Sequence, residues 1–372
     1  MSLFRTFPVL LLVTLFFLLI VLIVFDADTI PTGLSRRLRY KCSVQMPSEE
    51  LEFNLNDYKV KTFRGHVSMA QLNEKVYKKF GYEIVRPTFP VPTLRMIDEP
   101  TCEMVFFEWL RISEEPQPEI PPEEIPTGRE NEFLLNNYTA LDKWYLNDKN
   151  SKKGEKPKNW DTLSELIRKP KEKLAGLAYG ADGVSVYNAM NAHRLDGQNG
   201  VVIGSMQPWV ELTALRNGAS KVLTVEYNKL EIQKEFRDRM SSILPVDFVK
   251  NWQKYAGTFD FAASFSSIEH SGLGRYGDPI DPIGDLREML KIKCLLKPGG
   301  LLFLGVPLGT DAIQFNAHRI YGSVRLAMLI YGFEWIGTFS GTNEAPYDLN
   351  SARLHEKGVF QMKQQTLVLR KL

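Results

Sequence analysis

From about Asn199 to the end of the chain, short apolar runs alternate with helical patterns, and this alternation limits the possible folds more than any other feature. "VVIG" reads as a buried strand, and "WVELTALRNG" as a helix that Pro208 opens in its first turn and Gly218 closes. "KVLTVE", rich in β-branched residues, is a second strand, and "LEIQKEFRDRM" a polar helix. A third strand falls near Leu244 to Phe248, and "FDFAASFS" is a fourth. The helix "DLREMLKIKCLL" follows, with Asp285 and Glu288 at capping-box spacing. "GGLLFLGVP" is a fifth strand, "NAHRIYGSVRLAMLIYG" a helix stopped by Gly332, and "FEWIGTFS" and "QTLVLRK" the last two strands. Strands alternating with helices predict an α/β fold, a mainly parallel sheet covered on both faces.

The other end of the chain carries a different signal. Phe7 to Phe25, "FPVLLLVTLFFLLIVLIVF", holds no charged residue and is long enough to cross a bilayer as a helix. A cleaved signal peptide is the rival, but its apolar core is shorter and small residues mark its cut, which Phe25, Asp26 and Ala27 do not provide. Residues 1–25 are therefore read as a membrane anchor, which makes the membrane a partner. Arg36, Arg37, Arg39 and Lys41 favour a cytosolic C-terminal part, while Asp26 and Asp28 lie nearer the helix. Both orientations stand, with a slight lean to the lumen of the secretory pathway.

Residues 26–130 read as a stem or accessory region, ending in the Pro/Glu-rich linker "EEPQPEIPPEEIPTGRE" at 114–130. Residues 131–372 form the main domain, with its core from about 178. The 372 residues, 44% of them hydrophobic, suffice for one full domain and a smaller region. A net charge of +2 without a basic, aromatic-laced stripe gives no case for nucleic acid. Cys42 and Cys102 are able to pair in an oxidising lumen, and Cys294 reads as a buried thiol. The five histidines lack paired spacing and the cysteines form no Cys-x-x-Cys, so no metal site is expected.

In parallel sheets, ligands bind outside the carboxyl ends of the strands where strand order reverses. The residues expected there are Gly204, Ser205, Met206, Gln207 and Pro208 after the first strand, Glu226 after the second, and Ser264 to His270 after the fourth. Glu226 follows Gly204 by 22 positions, the spacing of an acid that accepts hydrogen bonds from a ribose. A pyrophosphate needs bare backbone and free N–H donors at the helix start. Met206 and Pro208 deny it both, whereas S-adenosylmethionine has no phosphate to lose. A plain strand-to-helix turn remains the alternative.

"LKPGGLLFLGVP" resembles the fifth-strand segment of class I methyltransferases, and "FDFAASFSSIEH" their fourth strand with its trailing Glu-His. "IGSMQPWVE" with "VEYN", and "SSIEHSGLGRYGDPIDPIGD", resemble more closely a nematode-expanded family of unknown function whose core is methyltransferase-like. The resemblance covers roughly Ala178 to the end. It implies a Rossmann-like sheet of seven strands with the last antiparallel, S-adenosylmethionine as cofactor, Gly204 as the first glycine of the cofactor loop and Glu226 as the ribose acid. Met206 and Pro208 stand where the methyltransferase cofactor loop has its later glycines.

The cofactor-binding candidates are thus Gly204, Ser205, Gln207, Glu226, Ser264 and Ser266. His270 is the catalytic candidate, an imidazole able to take a proton from a hydroxyl acceptor, with Glu269 to orient it. A structural histidine is the alternative. Tyr276 is placed to stack on a sugar or base, and Asp278 and Asp281 to face a polar substrate, although Asp-Pro pairs also start turns and cap helices. Arg319 and Tyr321 are further residues within reach of the cleft. The expected function is methyl transfer to a hydroxyl or carboxyl of a glycan or small molecule. A non-catalytic binding protein with an eroded cofactor loop is the alternative.

Overall fold

Alternate residues of a strand face opposite sides of a sheet, so a strand covered on both sides must be apolar throughout. Five strands, most of them with a buried apolar centre, lie parallel: β1 (Asn199–Ile203), β2 (Lys221–Val225), β3 (Met240–Ile243), β4 (Phe259–Phe265) and β5 (Leu296–Pro307). With β6 (Phe333–Ser340) and β7 (Gln364–Lys371) they form a seven-stranded sheet of order β3-β2-β1-β4-β5-β7-β6. β7 runs antiparallel to both β5 and β6. The structure is a computed structural model that describes residues 53–148, 157–346, 353–356 and 364–372.

Val201, Leu302 and Leu367 pack into the core on one face, and their strand neighbours Val202, Phe303 and Val368 into the core on the other. Each such side chain contributes about 1.5–3 kcal/mol by leaving water. The first face is covered by α1 (Cys102–Glu114), the short α4 (Pro245–Lys250), α5 (Gly284–Leu295) and α6 (Arg325–Leu329). The second is covered by α2 (Gly180–Ala192) and α3 (Trp209–Arg216).

Several elements differ from the sequence reading. The third strand ends at Ile243, because Pro245 already opens α4. The expected polar helix after β2 is a short strand, Leu230–Ile232, paired with Lys158–Trp160 and followed by a single 3-10 turn. Leu230 and Ile232 are buried on either side of an exposed Glu231, a strand's alternation rather than a helix's. The expected helix from Asn316 is largely a hairpin of Ala312–Asn316 and His318–Ile320. Its helical part starts only at Arg325, where the Asp311 carboxylate accepts from the N–H groups of Gly322, Val324 and Arg325. Asp285 forms no capping box: the N-cap is Ile283 without a side-chain cap, and Asp281 accepts from Ile283 N–H at 3.1 Å in the turn that precedes the helix.

From residue 53 on, the segment expected as a stem is folded. Two hairpins, Lys59–Thr62 with Gly65–Ser68 and Tyr82–Arg86 with Thr93–Met96, precede α1, and Glu52–Leu372 is one compact unit. Helix α1 packs against α4 and α5. A disulfide joins Cys102 at the start of α1 to Cys294 near the end of α5, Cα atoms 5.7 Å apart. This corrects the expected Cys102 pairing with Cys42 and the expected free thiol at Cys294. Cys42 and the expected anchor at 1–25 lie outside the described residues. Among the described residues, no helix is long and apolar enough to cross a membrane.

Candidate functional site

Strand order reverses between β1 and β4, and a cavity of about 260 Å³ lies at the carboxyl ends there. Residues from Ile203 to Gln207, Val225 to Asn228 and Phe265 to Ser267 line it from the sheet side. Tyr179 before α2, Trp109 of α1, Tyr276 and Lys291 of α5 close it from the other sides.

The turn after β1 is built for close approach. Gly204 has φ +73°, and a Cβ there would lie 2.1 Å from Ser267 Oγ, so only glycine fits. Ser205 N–H donates to Glu226 Oε2 at 2.9 Å, while Asn228 donates to Oε1 from its backbone N–H and its Nδ2, each at 3.0 Å. Glu226 is thus fixed at the cavity wall. A carboxylate oxygen has two acceptor sites, so Oε2 retains capacity for a ligand hydroxyl.

Ser205 Oγ lies 2.9 Å from the Gln207 carbonyl and 3.0 Å from Glu211 Oε2, and Thr224 Oγ1 donates to Glu211 Oε1 at 2.9 Å. One hydroxyl has one proton, so both contacts are satisfied only when Glu211 supplies a proton of its own. Complete burial pushes the Glu211 carboxyl up to about 7, in keeping with that arrangement. The Ser205 side chain therefore frames the turn. Gln207 is exposed at the cavity rim. Met206 is 47% exposed, borders the cavity and does not plug it. Its carbonyl accepts from Trp160 Nε1 at 3.3 Å.

After β4 the expected residues separate. Ser264 is not at the cavity: it is buried, and its Oγ donates to the Ile203 carbonyl at 3.0 Å, tying β4 to β1. Ser266 does line the cavity, with φ +53°, and its Oγ accepts from Gln364 Nε2 at 2.7 Å. Strained backbone of this kind collects at functional sites. His270 also lines the cavity. Its Nδ1 is 2.6 Å from the Ala317 carbonyl, so Nδ1 carries the proton and Nε2 the lone pair. Burial, and then the nearby Arg275 guanidinium, push its pKa down to about 3. The expected base is a neutral imidazole that resists protonation. Glu269 does not reach the cavity; its Oε1 lies 3.7 Å from His270 Nε2, and burial pushes its carboxyl up to about 7.

Asp278 and Asp281 border the cavity, yet their carboxylates hold the loop itself. Asp278 accepts from the N–H groups of Gly272, Gly274 and Tyr276, and Asp281 pairs with Arg287 Nε at 2.8 Å in addition to its turn bond with Ile283 N–H. Burial, the dominant effect, raises the Asp278 pKa. Tyr276 keeps its place on the cavity, with the Arg275 guanidinium 4.8 Å from its ring centre. Arg319 and Tyr321 are buried behind the loop and do not reach the cleft. Arg319 donates to the carbonyls of Ser271, Asp281 and Pro282. Asp285 accepts from Tyr321 Oη at 3.0 Å and from Arg325 through two bonds of 2.8 and 2.6 Å. Among the described residues, no three His, Cys, Asp or Glu side chains are grouped to hold a metal ion.

Sequence reasoning missed Trp109, Tyr179, Glu288 and Lys291, which come from outside the strand ends, and it missed Glu211. For Glu211 a signal existed: an acid between Trp209, Val210 and Leu212 on an otherwise apolar first helical turn.

A sheet of this order, with an antiparallel last strand and a crevice at the β1/β4 reversal, defines a methyltransferase-like α/β protein. Residues 197–372 match the family described as "Caenorhabditis protein of unknown function, DUF268". Among solved structures, the chain is similar to the 1,6-didemethyltoxoflavin-N1-methyltransferase of Burkholderia thailandensis, a structure with bound 1,6-didemethyltoxoflavin and S-adenosylhomocysteine. Identity is 15%, the TM-score is 0.35, and the match covers 50% of this chain and 76% of that one. An S-adenosylmethionine dependent methyltransferase from Mesorhizobium loti is 15% identical with a TM-score of 0.30, covering 52% of this chain and all of that one, 100%. Matches from Streptococcus thermophilus and Rhodobacter sphaeroides span only 66% and 46% of those chains. At such scores these likenesses carry no weight, and the strand order stands on its own. No curated protein matches the chain.

Proposed function

We propose that the chain binds S-adenosylmethionine in this cavity and transfers its methyl group to a carboxyl or hydroxyl of a glycan or small molecule. The observation that carries this reading is the Gly204–Glu226 corner, where a bare-backbone turn and a fixed carboxylate meet at the strand-order reversal. The corner suits a nucleoside without phosphates: the Ser205 N–H already serves Glu226, and Pro208 has no N–H to offer. Bound there, S-adenosylmethionine supplies a methyl group on a sulfonium, and the chain's task is to hold an acceptor in line with it. His270 lines the cavity with an unprotonated Nε2, which has too little proton affinity to activate a hydroxyl near neutral pH. That favours a carboxylate acceptor, which needs no base. It also favours, as a second reading, a binding protein without catalysis.

The apolar run at Phe7 to Phe25 is proposed as a membrane anchor, with the folded part in the lumen of the secretory pathway. The Cys102–Cys294 disulfide supports an oxidising compartment. Calorimetric titration of the full chain with S-adenosylmethionine and S-adenosylhomocysteine tests the cofactor: saturable binding of both is expected, and no heat with either would refute the reading. A glycosylation acceptor engineered on the folded part tests topology. It is modified if that part is lumenal and untouched if it is cytosolic.

A further inference from the structure

We infer that Trp109, Glu288 and Lys291 form a base-reading wall that selects a 6-aminopurine; this rests on the cofactor reading above. With a ribose held at Glu226, on the end of β2, the base would meet another wall of the same cavity. Pro245 and Phe248 of α4, which follows β3, line the cavity, and α1 packs against α4 and α5. Trp109 and Lys291 are each 7% exposed, and all three residues line the cavity.

Their geometry is that of an incomplete recognition set. Trp109 Nε1–H donates to Glu288 Oε1 at 2.7 Å, and Lys291 Nζ lies 2.8 Å from the same oxygen and 3.9 Å from the centre of the indole ring. Both donors use Oε1, and Glu288 Oε2 has no protein partner among the described residues. Lys291 has three N–H groups, one on Glu288 and one toward the indole face, which leaves a third. A free acceptor beside a free donor complements a ring edge bearing an amino group next to an unprotonated nitrogen, as adenine does. Hypoxanthine puts a carbonyl oxygen where that amino group stands, and it would meet Glu288 Oε2 lone pair against lone pair. The wall is assembled from α1 and α5, which the Cys102–Cys294 disulfide joins.

The test compares S-adenosylhomocysteine with S-inosylhomocysteine by calorimetry on the full chain, wild type and Glu288→Gln, with Trp109→Phe as a milder companion that keeps an aromatic ring and removes the N–H donor. Wild type should favour the adenosyl ligand by about tenfold or more, since a site built to accept a hydrogen bond rejects a ligand that cannot donate it. Glu288→Gln, whose amide also donates, should erase most of that preference. Trp109→Phe should weaken adenosyl binding about threefold to tenfold. Equal binding of the two ligands by the wild type, or an unchanged preference in Glu288→Gln, overturns the base-reading wall and leaves the cofactor reading standing. Failure of the wild type to bind either ligand overturns the cofactor reading and the wall together. Should Glu288→Gln fail to fold, the wild-type comparison of the two ligands decides alone.

Discussion

Ser205 and Glu226, 21 positions apart, are joined by a 2.9 Å hydrogen bond from backbone N–H to carboxylate, and that bond sets the corner of the cavity. The turn after β1 and the end of β2 therefore hold one another in place. A ligand that touches Glu226 touches a group already oriented.

The first prediction concerns the glycine beside that bond. In Gly204→Ala the new methyl collides with Ser267 Oγ and sits at φ +73°, so the turn must shift away from Glu226. The expected result is a fall in S-adenosylhomocysteine affinity of about tenfold or more, with a stability loss of only about 1–2 kcal/mol. Titration calorimetry and a thermal melt on the same sample read the two effects separately.

A second prediction follows from the disulfide between α1 and α5. Cys102→Ser, or reduction of the wild type, frees a loop closed over 192 positions and should cost about 2–5 kcal/mol of stability. Thermal melts with and without reductant check it. The reductant should leave the melting temperature of the Cys102→Ser variant unmoved.

Third, stability should fall as pH rises from about 6.5 to 8. Glu211 and Glu269 have carboxyls raised to about 7, above their unfolded values, so the folded state holds protons that the unfolded state has released. Their stabilising contribution is complete below the unfolded carboxylate pKa and is lost as pH rises through about 7. His270 and His318, lowered to about 3 and 4, act in the opposite sense, but only below about 6.5. The net fall over the upper window should be roughly 1–2 kcal/mol, and Glu211→Gln should remove about half of it. Chemical denaturation at a series of pH values would expose a flat profile if the carboxyls are in fact ionised throughout.

The fourth prediction addresses the loop carrying Tyr276 and Asp278. Asp285→Ala leaves Arg325 and Arg319 buried without their carboxylate, a change that costs about 3–5 kcal/mol. Denaturant titration measures the loss. Replacing the exposed partner in the Arg370–Glu334 pair should change stability by less than about 1 kcal/mol, which controls for loss of charge alone.

Strands β1, β2, β4 and β5 were legible because they are largely apolar on both faces, whereas β3, with Ser241 and Ser242 in its middle, carries no such run. The corner was legible too, because Gly204 and Glu226 are both set by local strand ends. What escaped depends on distant partners. Asp285 and Arg325 lie 40 positions apart, and nothing near Asp285 separates an inward ion pair from a helix cap. His270 has the right place, but its proton affinity is set by burial and by Arg275, and a sequence records neither. The hairpin around His318 read as a helix because its apolar residues fit both periods. Asn136 and Asn137 at positive φ agree with the ease with which asparagine enters that region, whereas Leu135 beside them carries no local signal for it.

Helix α1 precedes residues 197–372, the part that matches a family, by more than eighty positions, yet its Trp109 lines the cavity at the strand ends. The recurring module thus supplies a box open on one side, and the panel that shuts it is borrowed from upstream. Joined to another leader, the same module would enclose a cavity of another shape, so inheritance of the family segment does not entail inheritance of ligand choice. Proteins that share 197–372 with this chain should be sorted by what they carry where Trp109 and Cys102 stand here.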